Sequence, residues 1–281
     1  MRTNNNNPKV QILLATYNGE NFLREQLDSI INQDYKFWEL LIHDDGSNDN
    51  TILILNEYQN NFPNQIRLLI DQKIFSSASK NFFHLMENRS REANLYCLCD
   101  QDDIWHKSKL KFFVERYNLK EDKEPLLIHS DLSLIDYKGR LLENSHNKLI
   151  KNQKNFISKN TALYYNAVPG CALSINSALA DKISYNKNMV MHDWWILLSA
   201  IYENTNIVYI SFPLVKYRQH SGNVLGYKKN NILILFIRLL FKIPRYIKNV
   251  KKAHSQSKHF HNQTLLQYFI RLVNHQIKTN L

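Results

Sequence analysis

The sequence predicts an α/β fold, a Rossmann-like, mainly parallel sheet with helices on both faces, followed by a basic, amphipathic helical extension. Three observations predict it. Short apolar runs alternate four times with helical periodicity, at a spacing of about thirty residues. Three of those runs end abruptly in polar clusters, as parallel strands do where their carboxyl ends meet a ligand crevice. Finally, residues 228–281 carry eleven Lys/Arg and no Asp or Glu, so the remaining 227 residues are balanced and the whole net charge of +11 lies in the last 54.

Val10–Ala15 (VQILLA) is apolar but for Gln11, as expected of a strand buried on both faces. Leu23, Leu27, Ile30 and Ile31 then fall on one helical face. Trp38–His43 (WELLIH) gives the second strand and ends at DDGSND, whose Asn48 or Asp49 would cap the next helix. That helix carries Ile52, Leu55 and Tyr58. Ile66–Ile70 is the third strand, and Phe82, Phe83 and Met86 mark the third helix. Leu95–Cys99 (LYCLC) is the fourth strand and ends at DQDD. A helix bearing Leu110, Phe113, Val114 and Tyr117 follows, expected to start near Trp105 and to aim its N-terminal dipole at an anion. Beyond it the pattern is less regular. Leu126–Ser130 and Leu132–Tyr137 read as two strands, 143–160 as a surface loop, and Asn166–Ile175 as a turn feeding a strand. Trp194–Tyr202 reads as a helix, Val208–Phe212 as a short strand, and Tyr217–Gly226 as a polar turn.

Composition excludes several classes. With 44% hydrophobic residues in 281 the chain buries a full core, which rules out global disorder. Three Cys exclude a disulfide scaffold and fit reduced thiols in a cytoplasmic setting. Cys97 and Cys99 alternate on a strand and share a face as small apolar residues rather than as zinc ligands. The N-terminus lacks the apolar core of a secretory signal, and Ile232–Ile237, the longest apolar stretch, is far too short to span a bilayer.

The chemistry gathers at the strand ends. Thr16-Tyr17-Asn18-Gly19, Asp44-Asp45-Gly46-Ser47 and Asp100-Gln101-Asp102-Asp103 should converge at one crevice. Carboxylates spaced Asp-x-Asp are hard oxygen ligands suited to Mg²⁺ or Mn²⁺ bridged to a diphosphate. Read without that context, each cluster is an acidic turn or a helix cap.

The succession ILLATYNGENFLREQLDSIINQ, WELLIHDDGSNDNT and LYCLCDQDDIW resembles the start of glycosyltransferase family 2, and VPGCALSIN, MHDWWILLSA and VKYRQHSGNVLG extend the resemblance to about residue 226. The later segments look most like its bacterial rhamnosyltransferase-like branch. The resemblance implies a GT-A fold and inverting, metal-dependent sugar transfer from a nucleotide sugar, with dTDP-rhamnose suggested by the branch. It implies a donor site of Thr16, Tyr17, Asn18, Asp44, Asp45, Asp100 and Gln101. Lys80 stands where many members have Arg, a point charge in place of a bidentate fork. Asp102 and His220 would hold the metal. Asp193 would be the catalytic base; members often carry Glu before it, and here it is His192. Read locally, Asp193 is a helix N-cap. Gly170, His192, Trp194 and Trp195 would lie on the acceptor side.

Residues 1–227 are therefore expected to form the catalytic domain and 228–281 the extension. In the extension, Ile232, Leu235, Phe236, Leu239, Leu240 and Ile243 share a helical face opposite Arg238, Lys242 and Arg245. This is the pattern of a helix lying on an anionic membrane, or of one packed on the catalytic domain. The expected partners are a nucleotide sugar, a lipid-linked glycan acceptor and the inner face of the cell membrane, with no nucleic acid. Two other readings compete with this one. A sugar-1-phosphate nucleotidyltransferase would need a Gly-rich basic loop where TYNGENF has one Gly and no Lys. A nucleic-acid-binding protein would leave the three polar clusters without a role.

Overall fold

A computed structural model describes residues 7–120, 124–149, 157–220 and 248–280. The first half follows the periodicity closely. β1 (Val10–Thr16), α1 (Leu23–Ile31), β2 (Trp38–Asp44), α2 (Thr51–Asn61), β3 (Ile66–Leu68), α3 (Ala78–Glu87) and β4 (Leu95–Cys99) alternate along the chain. After β4 come β5 (Ile104–Trp105), α4 (Lys109–Asn118), β6 (Leu126–Ile135), β7 (Leu141–Glu143), α5 (His146–Leu149) and α6 (Lys159–Ala162). A 3₁₀ turn at Gly170–Ala172 leads into β8 (Leu173–Asn176), α7 (Ser177–Ala180), α8 (His192–Tyr202) and β9 (Asn206–Arg218). Residues 248–260 form α9, and Leu265–Asn280 form α10.

The nine strands make one sheet in the order β3-β2-β1-β4-β8-β6-β9-β5, with β7 paired to β6. β3, β2, β1 and β4 run parallel, whereas β8 is antiparallel to both β4 and β6. Side chains of a strand alternate between faces, so each face builds its own core. Val10, Ile12 and Leu14 pack with Leu27 of α1, Leu55 of α2 and Phe113 of α4. Leu13, Leu41 and Leu98 face the other way, under Phe82 of α3 and Leu198 of α8. A fully buried side chain of this kind contributes about 1.5–3 kcal/mol. Cys97 and Cys99 are buried together on the first face, as their alternation requires.

Four local expectations change. Trp105 does not open a helix: Ile104–Trp105 pairs with Lys216–Val215 of β9, and α4 starts four residues later at Lys109. β6 is one strand rather than two. Its pairing with β9 shifts register between Ser130↔Ile210 and Asp131↔Pro213. β9 is correspondingly longer than the stretch expected and carries Pro213, which cannot donate to a ladder; the irregularity accommodates it. The expected loop at 143–160 contains the one-turn helices α5 and α6.

The helix expected over 232–243 lies outside the described residues. The helices that follow it pack on the sheet's α8 side. Val250, Tyr268 and Leu272 are buried in the α8-side core. Tyr268 Oη donates to the Leu163 carbonyl at 3.1 Å, and Val190 N–H donates to Gln256 Oε1 at 2.6 Å. Among the described residues, no helix is long and apolar enough to cross a membrane.

Candidate active site

Thr16 and Asp44 are register partners at the ends of β1 and β2. Thr16 Oγ1 donates to Asp44 Oδ2 at 2.8 Å. The same carboxylate accepts from Ser47 Oγ at 2.6 Å and from the backbone N–H groups of Gly46 (3.1 Å) and Ser47 (2.7 Å). Asp44 thus spends its acceptors on closing its own turn, which Gly46 permits at φ 85°. Asp45 is buried and accepts from the backbone N–H of Phe75 and, at 3.0 Å, of Ser77. It ties the segment before α3 to the sheet. Asn18 joins the first two loops: its N–H donates to Ser47 Oγ at 2.7 Å and its Oδ1 accepts from Asn48 N–H at 2.8 Å. Gln101 joins the first and fourth, accepting from Tyr17 N–H at 2.8 Å and donating to the Tyr17 carbonyl at 2.9 Å. The expected cap of α2 is partly met by Asp49, whose Oδ1 accepts from Thr51 N–H at 3.0 Å, although Asn50 holds the N-cap position.

The acidic cluster is crowded. Burial pushes the Asp100 carboxyl up to about 7, with the charges of Asp102 and Asp193 adding to the effect and Lys109 opposing it. Burial also holds Asp103 well above the usual carboxylate range, reinforced by Asp102 and Asp100. Arg218, fully buried, is the organising cation. Its backbone N–H donates to Asp103 Oδ1 at 3.0 Å and its side-chain Nε to the Asp102 carbonyl at 2.9 Å. Its guanidinium also reaches the Tyr137 carbonyl at 3.1 Å and Glu25 Oε2 at 2.9 Å. His220 Nε2 lies 2.8 Å from Asp102 Oδ2. The carboxylates of Asp100, Asp102 and Asp103 are hard oxygen donors, and the raised titration of Asp100 and Asp103 is what a divalent cation would relieve. The residues present therefore fit Mg²⁺ or Mn²⁺.

The opposite wall is built by the turn at Gly170 and the start of α8. Met191 holds the N-cap position, so Asp193 does not cap α8; it sits in the first turn, where the helix dipole favours a negative charge. Its Oδ2 accepts from Gly170 N–H at 3.0 Å and its Oδ1 from Trp194 N–H at 2.7 Å. His192 stacks on Phe82 with ring centroids 4.0 Å apart, and its backbone N–H donates to Ser79 Oγ at 3.1 Å. Burial lowers its pKa against the pull of Asp193, and neither ring nitrogen has a hydrogen-bond partner among the described residues.

Both walls face one cavity of about 780 Å³. Thr16, Tyr17, Asp45, Asp100, Gln101 and Asp102 line one side, and Gly170, His192, Asp193 and Trp194 the other. Asn18, Asp44, Lys80, His220 and Trp195 do not line it. Lys80 is exposed on the first turn of α3, and its neighbour Asn81 faces the cavity instead. Trp195 is buried against His259 and Phe260 of α9, with centroids 4.9 and 4.8 Å away. Ser76, Ser77, Tyr164 and Tyr165 also line the cavity and were not singled out in the sequence. They sit in irregular segments, where periodicity gives no direction to a side chain.

Comparison with known proteins places this arrangement. The profile of glycosyl transferase family 2 matches residues 11–123. The dTDP-rhamnosyl transferase RfbG of Shigella flexneri is 31% identical over 222 residues, 76% of this chain and 73% of that protein. The Escherichia coli protein WfgD, a UDP-Glc:alpha-D-GlcNAc-diphosphoundecaprenol beta-1,3-glucosyltransferase, is 22% identical over 76% of this chain and 79% of its own. Among solved structures, S. aureus TarS 1–349 with UDP-GlcNAc superposes with a TM-score of 0.62 at 16% identity, covering 95% of this chain and 71% of that one. The mannosyltransferase PcManGT from Pyrobaculum calidifontis, with GDP-Man and Mn²⁺, gives 0.60 at 14% identity, covering 99% and 71%. The fold is thus that of the GT-A glycosyltransferases, and the protein is a sugar-transferring enzyme. Within that class the chain belongs to glycosyl transferase family 2.

Proposed function

We propose that this enzyme is an inverting, divalent-metal-dependent transferase that moves a sugar from a nucleoside-diphosphate donor to a growing surface-polysaccharide glycan. The observation that carries the reading is that Asp193 shares one cavity with Asp100 and Asp102. A nucleotide needs the strand-end loops, its diphosphate needs the acidic pair with a cation, and an acceptor hydroxyl needs a base on the far wall.

The roles follow from position. Thr16, Tyr17, Asp45 and Gln101 shape the donor side, while Asp44 and Asn18 hold its loops. Asp102 with Asp100 would hold Mg²⁺ or Mn²⁺, and His220 would set the orientation of Asp102. When bound, the cation supplies neutralisation for the leaving diphosphate. Asp193 takes the proton of the acceptor hydroxyl. Each of its oxygens accepts one backbone N–H and keeps a second lone pair for that proton. His192, neutral and unpartnered, offers a hydrogen bond beside the base, and Trp194 presents its ring to the acceptor sugar.

The likeness to RfbG supports dTDP-rhamnose as donor, and the lipid-diphosphate acceptor in WfgD's name supports a lipid-linked glycan. Such an acceptor fits work at the cytoplasmic face of the membrane, with the basic residues of 228–281 toward anionic lipid. The catalytic body is then 1–227 and the rest a helical extension.

The test is a panel of nucleotide sugars incubated with Mn²⁺, reading released nucleoside diphosphate and transfer to a lipid-linked acceptor. The wild type should use one donor preferentially. Asp193→Asn should bind that donor normally yet lose about 10²- to 10⁴-fold in transfer. Absence of binding or turnover with every donor would overturn the reading, and near-normal transfer by Asp193→Asn would move the base elsewhere.

A further inference from the structure

Behind the donor wall lies a second cluster that the transfer reaction does not use. His43 ends the α3-facing row of β2, His84 lies on α3, and Asp71 comes from the loop after β3. Their ligand atoms all fall within 4.8 Å of one another. His43 Nε2 is 3.2 Å from Asp71 Oδ1, and His84 Nε2 touches Asp71 Oδ2. The two rings meet edge to face, with centroids 4.8 Å apart. Both histidines are buried, while the Asp71 side chain is 31% exposed and leaves the cluster open to solvent.

The tautomer of His43 is fixed by its other neighbour. Asn81 Nδ2 donates to the His43 carbonyl at 3.2 Å, so Asn81 Oδ1 is the atom facing His43 Nδ1 at 2.7 Å. A flipped amide would set two oxygens against each other. The Nδ1 of His43 therefore carries a proton, and its Nε2 turns toward a carboxylate. That nitrogen either bears a second proton, making an imidazolium, or offers its lone pair to a cation. An imidazole whose far N–H is held by a carbonyl oxygen is the usual arrangement of a metal-bound histidine. Ligand atoms about 2.0–2.1 Å from a tetrahedral Zn²⁺ lie about 3.4 Å from each other, and the 3.2 Å between His43 Nε2 and Asp71 Oδ1 is close to that spacing.

We propose that His43, Asp71 and His84 form a second metal site, of the imidazole–carboxylate class that takes Zn²⁺, separate from the Asp100–Asp102 pair. Two imidazoles and one carboxylate select a borderline ion over Mg²⁺, which prefers oxygen alone. Water would complete the coordination on the exposed side. Loading moves the His84 proton to Nδ1, at the expense of its weak 3.4 Å contact with Asn88 Nδ2. Lys73 Nζ, 3.8 Å from Asp71 Oδ2 and exposed, swings away.

The site would pin the loop at 71–77. Phe75 packs on both histidine rings, at 5.7 and 5.1 Å. Ser76 and Ser77 of the same loop line the donor cavity. The ion is thus structural, a staple between β2, α3 and the wall that would meet the nucleotide. The proposal rests on these three side chains and stands apart from the choice of donor or base.

The experiment uses the full-length, tag-free protein carrying Asp102→Asn, which weakens metal binding at the acidic pair. Titration calorimetry with Zn²⁺ alone should show one equivalent bound and little competition from excess Mg²⁺, with the melting temperature rising on loading. Adding Asp71→Asn, at a half-exposed position that tolerates the change, should weaken Zn²⁺ binding by about 10²-fold or more. Asn81→Asp, which keeps an acceptor opposite His43 Nδ1, should retain it, while Asn81→Ala should cost about 10- to 100-fold. No Zn²⁺ bound by the Asp102→Asn protein overturns the proposal and leaves Asp71 as a hydrogen-bond partner of the two histidines. Zn²⁺ binding unaffected by Asp71→Asn overturns it as well, by placing the ion elsewhere.

Discussion

Gly170 donates its backbone N–H to Asp193 Oδ2 at 3.0 Å, so the turn before β8 fixes the carboxylate at the start of α8. A side chain at 170 has no room. Its Cβ would lie 2.8 Å from His192 Nε2 and 3.3 Å from Asp193 Cβ. Gly170→Ala must push the His192–Asp193 pair off its position, and overpacking of this kind costs about 1–3 kcal/mol. We expect a modest fall in melting temperature and a loss of about 10²-fold in transfer, with donor affinity unchanged by calorimetry. Full transfer in the alanine variant would mean that Asp193 does not work from this position.

Asp102 receives His220 on its carboxylate and gives its carbonyl to Arg218. Asp102→Asn keeps the carbonyl and hence the Arg218 contact, but exchanges an anionic ligand for an amide. The variant should remain folded and lose most Mn²⁺-dependent binding of nucleoside diphosphate. Calorimetry in the presence and absence of Mn²⁺ reads this directly, and equal affinities for variant and wild type would remove Asp102 from the metal.

His129 is buried in β6 beside Tyr209, and burial lowers its pKa from 6.5 to about 4. Between those values the unfolded chain takes up a proton that the folded chain refuses. Stability from this group is complete above pH 6.5 and is lost as the pH falls toward 4, at up to about 1.4 kcal/mol per pH unit. Urea unfolding at pH 6.5 and pH 4.5 should show a smaller loss in His129→Phe than in the wild type. Parallel losses would show that other groups carry the acid sensitivity.

Tyr268 is 1% exposed, packs on Tyr164 at 5.0 Å and donates to the Leu163 carbonyl. If α10 stays docked in solution, Tyr268→Ala should cost about 3–5 kcal/mol, as for other large aromatic truncations. Tyr268→Phe, which loses only the hydroxyl, should cost about 1 kcal/mol. An unchanged thermal melt in the alanine variant would mean that the C-terminal helices leave the body in solution.

The parallel half of the sheet was legible because β1, β2 and β4 are buried on both faces and write themselves as largely apolar runs, broken only by Gln11, Glu39 and His43 before their polar ends. Their ends delivered the polar clusters to one cavity, as topology requires. What the clusters do individually was less legible. Asp44 and Asp45 are adjacent, yet one closes its own turn and the other reaches across to the segment before α3. Strand alternation separates their directions without saying what each meets. The expected strand stopped at Phe212, one residue before Pro213, and only the register shift against β6 shows how β9 passes through. The His43–Asp71–His84 cluster gave no signal at all. Its members come from a strand, a loop and a helix, and their meeting depends on how α3 lies on the sheet.

The reach of Arg218 also bears on how the molecule is made. Its backbone N–H meets Asp103 from 115 residues downstream, and its guanidinium meets Glu25 from 193. A ribosome-bound chain that has emerged only through β4 already holds the strand-end aspartates, without the residue that binds them together. Contacts so distant in sequence form late, because the intervening loop must close first. The acidic centre is therefore among the last parts to assemble. Until β9 arrives, Asp103 has no reason to enter the interior, and the emerging enzyme keeps its most costly burial for the end of synthesis.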